Sequence, residues 1–113
     1  MSGRKSQLNP YHAIVAGDMS ADITSGITTI TYQDNIGIQL VFTGTPTGTF
    51  FVDVSLDQVN FTPLVFSTPP VAVGSAGNIY LDINQLSAFY VRIRYVRTSG
   101  TGVLDALIVG KQV

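Results

Sequence analysis

Hydrophobic and polar side chains alternate along residues 49–56, and this period of two predicts a β-strand with one buried and one outward face. The buried side is predicted to carry Phe50, Val52, Val54 and Leu56, and the outward side Phe51, Asp53 and Ser55. A turn is predicted at residues 57–60. It is followed by a strand starting at Phe61 that contains Pro63, a residue typical of sheet edges.

A second alternating stretch covers residues 89–97. Its inward side is predicted to carry Phe89, Val91, Ile93 and Tyr95, and its outward side Tyr90, Arg92, Arg94 and Val96. The glycine-containing segment 98–102 then predicts a loop that closes a long antiparallel hairpin with a final strand at 103–110. In that hairpin, we expect Asp105 to pair with an arginine across the ladder.

Further strands are predicted at 13–16, 21–24, 27–32, 36–44 and 78–83, which gives roughly seven to nine short strands. The predicted fold class is all-β, an antiparallel β-sandwich or jelly roll. With 113 residues, the chain is expected to form one domain at 11–113, preceded by a flexible, extended N-terminal arm at 1–10. This arm carries Arg4 and Lys5, and is interpreted either as a frayed terminus or as a segment that orders against a neighbouring subunit.

Charged residues make up only 12% of the chain, about half of the usual share. Such a surface suits a protein that packs against neighbours, and equally an extracellular type of β-domain. The net charge of −1 and the lack of a basic stripe argue against nucleic acid as a partner. No signal peptide or membrane span is predicted, and the absence of cysteine excludes disulfides and thiolate metal sites.

Residues for catalysis are scarce, because the chain has one histidine, His12, and neither glutamate nor cysteine. No G-x-S-x-G motif is present, so we expect no enzyme, no catalytic residue and no cofactor. The pairs Asp57 with Asn60 and Asp18 with Asp22 match no calcium loop. They are interpreted as turn-capping residues, and no metal site is predicted.

The outward side chains of the two alternating strands have the aromatic and arginine composition of an interface centre. The candidate interface therefore consists of Phe51, Asp53, Tyr90, Arg92 and Arg94, together with Arg4 and Lys5 of the arm. One alternative is that the arginine stems only cover the aromatic rings. Another is that outward tyrosines form a platform for a glycan.

Two segments, Phe51–Leu64 and Tyr90–Gly102, resemble small β-sandwich structural proteins of tailed bacteriophage virions. Those proteins carry a strand, an S-x-D-G-x-N-[FW] turn and a later Y-[VI]-R-[VI]-x-Y strand before a loop rich in Ser, Thr and Gly. In this chain Gln58 replaces the turn glycine, which puts the type of turn in doubt. The resemblance covers residues 49–110 and implies a repeated component of the virion, and no receptor-binding residue is carried over from it.

The predicted function is that of a non-enzymatic virion structural protein, a decoration or cement protein that binds the assembled capsid. The expected partners are the major capsid protein or another virion protein, with further copies of the chain in a homo-oligomer. The expected location is the virion, assembled in the host cytoplasm. Alternatives are a tail, neck or baseplate component and a carbohydrate-binding β-sandwich module.

Overall fold

The computed structural model describes residues 7–30, 35–84 and 88–111, which form ten β-strands and no helix. The strands are β1 (Gln7–Asp18), β2 (Ile23–Thr24), β3 (Thr28–Thr29), β4 (Asn35–Gly44), β5 (Thr47–Ser55), β6 (Thr62–Pro63), β7 (Val71–Val73), β8 (Gly77–Ile83), β9 (Tyr90–Ser99) and β10 (Gly102–Lys111). The all-β prediction is confirmed.

The strands form two antiparallel sheets. One has the order β1-β10-β4-β8, and in the other β5 pairs with β9 at the centre. Strands β2 and β3 lie beside β9, and β6 and β7 lie beside β5, so each of these pairs fills one strand position. Ten strands therefore occupy eight positions in the strand order of a jelly roll. The predicted sandwich is confirmed, and the two interrupted strands explain why ten are present instead of seven to nine.

Side chains from both sheets fill the core at alternate positions of the long strands. The fully buried ones include Ile36, Ile38 and Leu40 of β4, Phe50 and Val52 of β5, Val91, Ile93 and Tyr95 of β9, and Leu104, Ala106 and Ile108 of β10. Three aromatic rings connect the sheets, with centroid distances of 5.4 Å between Phe42 and Phe50 and 5.1 Å between Phe50 and Tyr95. Two predicted core residues, Leu56 and Phe89, lie at strand ends and are exposed.

The predicted hairpin of β9 with β10 is wrong. Strand β9 pairs with β5, whereas β10 pairs with β1 and β4 in the other sheet. The loop between β9 and β10 therefore crosses from one sheet to the other. Asp105 pairs with none of the arginines that the structure describes; its carboxylate accepts the backbone N–H of Ala16 at 3.0 Å. Ala16 has a φ of 49° and lies in an irregular stretch of β1, where the carboxylate replaces a lost ladder bond.

The predicted arm and domain boundary fall at the start of the first sheet. Strand β1 begins at Gln7, which pairs with Lys111, and Leu8 pairs with Gly110. The backbone of residues 7–10 therefore belongs to the sheet. Arg4 and Lys5 lie outside the described residues.

Candidate interaction face

The five candidate residues of β5 and β9 lie together on the outer face of the six-stranded sheet. In the register of the two strands, Phe51 is opposite Arg94, and Asp53 is opposite Arg92. Tyr90 is opposite Ser55 at the end of the same row. Side chains at alternate positions of paired strands share one face, so the alternation of the sequence is sufficient to bring these residues together.

Asp53 is the buried centre of this face. Its carboxylate accepts bonds from Arg92 Nε at 3.0 Å and from Arg94 at 2.5 Å (Nε) and 3.1 Å (Nη2). The Asp53 side chain is 1% exposed, whereas those of Arg92 and Arg94 are 31% and 29% exposed. Burial alone would raise the pKa of Asp53, but the hydrogen bonds from Arg94 and Arg92 outweigh it and lower this pKa.

Each arginine also lies over a phenylalanine ring. The guanidinium carbon of Arg94 is 4.7 Å from the centroid of the Phe51 ring, and that of Arg92 is 4.2 Å from the Phe61 ring. Cation–π contacts of this kind hold the guanidinium groups in place on a partly exposed surface. We call Phe51, Asp53, Phe61, Arg92 and Arg94 the arginine–phenylalanine face.

Phe61 was missing from the sequence-based set of site residues. It follows the turn after β5, and its position relative to Arg92 depends on how that turn returns the chain toward the sheet. The sequence contained one signal, since Phe61 occupies the aromatic position that ends the turn pattern of the phage proteins. Alternation along a strand cannot detect it.

The turn that returns the chain is capped by Asp57. Its carboxylate accepts the backbone N–H groups of Val59 at 2.9 Å and Asn60 at 2.8 Å, the Asn60 side-chain amide at 2.8 Å and the Ser55 hydroxyl at 2.9 Å. The bonds from Asn60 and Val59 are the main reason that the pKa of Asp57 is held far below its usual value. This geometry agrees with the turn-capping interpretation.

Gln58 in this turn has a φ of 67°, in the left-handed region that glycine adopts readily. The turn thus keeps the conformation that a glycine would favour, although the glycine of the phage pattern is replaced. At this position the chain therefore differs from the phage pattern in residue type, but its backbone conformation is one that the glycine of the pattern would also adopt.

The other candidate chemistry is dispersed. His12 is exposed on β1, and within the described ranges no three His, Cys, Asp or Glu residues lie close enough to hold a metal ion. Asp18 caps its own turn by accepting the Ser20 hydroxyl at 2.7 Å and the Ser20 N–H at 2.9 Å. Across the same described residues there is no helix of the length and hydropathy that a membrane span requires.

Comparison with known proteins gives similarity of fold. No family model matches the sequence, and no curated protein matches it. Among solved structures, the SPBc2 prophage-derived protein YomS superimposes with a TM-score of 0.66 at 10% identity, covering 96% of this chain and 97% of the other. A Bacillus endospore appendage protein superimposes with a lower TM-score of 0.48 at 16% identity, covering 100% of this chain and 95% of the other. A CBM4 protein superimposes with a TM-score of 0.49 at 10% identity, covering 80% of this chain and 61% of the other. At these identities, the likeness to YomS shows that the two chains share their fold.

Proposed function

We propose that this protein is a non-enzymatic structural protein of a tailed bacteriophage virion, where it decorates the assembled capsid. The arginine–phenylalanine face is the observation that carries the proposal. It is the surface through which the protein would bind the shell, with Tyr90 at its edge. The proposal also includes self-association of the chain into a homo-oligomer on the capsid.

The chemistry of the face supports protein binding. Arginine and aromatic side chains are enriched at the centres of protein interfaces, where they provide large contact areas and oriented N–H donors. Here the two guanidinium groups are already held by Asp53 and by the two rings. A partner therefore meets a surface whose side chains lose little conformational freedom on binding.

The charge of the face indicates what the partner offers. Two arginines surround one carboxylate, which leaves the cluster with one net positive charge. The matching surface would present a carboxylate or backbone carbonyl groups beside apolar side chains, because guanidinium groups recognise such acceptors well. In an assembled shell, any such surface would be repeated by the symmetry of the lattice.

Two further observations support the proposal that the protein comes from a phage. The segments Phe51–Leu64 and Tyr90–Gly102 resemble virion structural proteins, and the jelly-roll fold is shared with a protein derived from a prophage. The non-enzymatic role rests on the residue inventory, which has one histidine and neither glutamate nor cysteine.

An add-back experiment tests the proposal. Virions are prepared from a phage that encodes this protein and from a derivative in which its gene is deleted, and purified protein is then added to the deficient heads. We expect saturable binding to heads, measured by co-sedimentation. The variant Arg92→Ala should bind about tenfold more weakly, because it removes one guanidinium of the face while Arg94 stays on Asp53.

Arg97→Ala is the matched control. Arg97 lies on the same strand, but its side chain is exposed near the loop and donates to the carbonyl of Gly100 at 2.9 Å. This variant should bind like the unchanged protein. Binding to tails in place of heads would reject capsid decoration in favour of a tail or neck component, and absence of the chain from purified virions would reject the proposal as a whole.

A further inference from the structure

The outer face of the other sheet carries an exposed aromatic residue, Tyr80. It lies on the edge strand β8 opposite Gln39 of β4, and 63% of its surface is exposed. The ring leans across β4 toward Gly37: a Cβ atom at position 37 would lie 2.7 Å from Tyr80 Oη and 3.3 Å from Cε1. The missing side chain at Gly37 thus makes room for the tyrosine ring on the sheet.

Two clefts lie next to this ring. The larger has a volume of about 380 Å³, the smaller one of about 160 Å³, and both are lined by Gly37, Tyr80 and Val109. Tyr80 therefore forms a wall that the two clefts share. Because the clefts share three lining residues, they lie side by side on this sheet, and a ligand could occupy both.

Polar side chains line the larger cleft beside this apolar wall. They are Asn35, Asp82 and Asn84, while the smaller cleft has Gln39, which donates through Nε2 to Asn78 Oδ1 at 3.1 Å. Amide and carboxylate groups are suited to bind hydroxyl groups, since each offers acceptors and the amides also offer donors. Of the described residues that line the two clefts, Asp82 is the single charged one.

This composition narrows the class of ligand. The carboxylate of Asp82 would repel an anionic ligand. A purely apolar ligand would displace water from the exposed side chains of Asp82 and Asn84 without replacing its hydrogen bonds. A neutral saccharide fits both requirements, because a sugar ring has one apolar C–H face to stack on an aromatic ring and hydroxyl groups around its rim.

We propose that the Tyr80 clefts bind a neutral oligosaccharide or polysaccharide. One sugar ring stacks on the exposed face of Tyr80, and its hydroxyl groups are bound by Asn35, Asp82 and Asn84. The site is on the sheet opposite the arginine–phenylalanine face. A molecule attached to a shell through that face would present the sugar site outward, yet the site itself does not depend on the proposed virion role.

Affinity electrophoresis of the full chain tests this site. The protein is run through native gels that contain hydroxyethyl cellulose, soluble starch, galactomannan or glycol chitin, all of them polymers that the gel retains. We expect at least one of these neutral glycans to retard it. Tyr80→Ala should weaken that binding about tenfold, because the stacking surface is lost, and Tyr80→Phe should preserve it. Gly37→Ala should also weaken binding, since the added Cβ displaces the ring.

Phe89→Ala is the matched control. Phe89 is another partly exposed aromatic residue, 43% exposed, next to Ser55 on the six-stranded sheet, and its removal should leave the retardation unchanged. Thermal unfolding of every variant checks that it is folded. Absence of retardation in all four gels, or equal retardation of the protein and its folded Tyr80→Ala variant, would overturn the proposal.

Discussion

At the scale of single residues, Asp53 determines how the interaction face is built. A carboxylate that is 1% exposed is stable only with partners, and Arg92 and Arg94 provide three hydrogen bonds to it. Asp53 depends on the two arginines more than they depend on Asp53. The arginines retain access to water if Asp53 is removed, whereas Asp53 stays covered and loses its partners if both arginines are replaced by apolar side chains of similar length.

This inequality predicts the order of stability of three variants. The double variant Arg92→Met/Arg94→Met should lose about 3–5 kcal/mol, because the methionine side chains still cover Asp53 but leave its carboxylate unpaired. Asp53→Asn should lose only about 1–2 kcal/mol. Adding Asp53→Asn to the double variant should restore part of the loss. Urea unfolding measures all three, and a double variant at least as stable as Asp53→Asn would contradict this account of the face.

The sequence predicted much of this face and little of the Tyr80 site, for a physical reason. Alternation assigned Phe51, Asp53, Tyr90, Arg92 and Arg94 to outward positions, and a shared face follows once β5 and β9 pair. The contacts of Phe61 with Arg92 and of Tyr80 with the space above Gly37 depend on a turn and on a neighbouring strand. No local pattern contains that information.

At the level of elements, two loops form corners of the sandwich, because each leads the chain from one sheet to the other at the same end. The loop between β4 and β5 meets the loop between β9 and β10, where Thr45 N donates to Thr101 O at 2.8 Å. Gly100 in the second loop has a φ of 79°, and a side chain there would collide with the backbone carbonyl of Thr45. The glycines correctly predicted that loops lie here. They do not determine which strands pair, because that depends on residues far apart in the sequence, and the hairpin of β9 with β10 was therefore predicted wrongly.

Substitution of this corner glycine should therefore be costly. We expect Gly100→Ala to lower the free energy of unfolding by about 1–3 kcal/mol through the positive φ and the collision. Gly26→Ala is the control, because a Cβ at position 26 would have no neighbour within 4 Å. Thermal unfolding compares the two variants. Equal stability would show that the corners can separate without cost.

At the scale of the whole molecule, three aspartates connect stability to pH. The pKa of Asp57 is lowered by bonds from Asn60 and Val59, and that of Asp18 by bonds from Ser20. At Asp53, burial would raise the pKa, but the arginine bonds lower it. A carboxyl group with a lowered pKa in the folded state stabilises the fold above its unfolded value of 3.8, and this contribution is lost as the pH falls through the folded pKa.

The free energy of unfolding should thus decrease as the pH is lowered from about 5 to about 2. Asp57→Asn should be less stable at neutral pH and show a smaller decrease, since the amide cannot gain the same proton. Urea unfolding at a series of pH values tests both expectations. A protein whose stability stays constant or increases over this range would contradict the assigned role of these carboxylates.

A cryo-electron microscopy reconstruction of virions that contain this protein would show where it lies and which face it turns to the shell. We predict density for the jelly roll on the outside of the head. In that density, the arginine–phenylalanine face contacts the shell and the Tyr80 clefts face outward. A head surface without this density, or density in which the six-stranded sheet faces the solvent, would contradict the account.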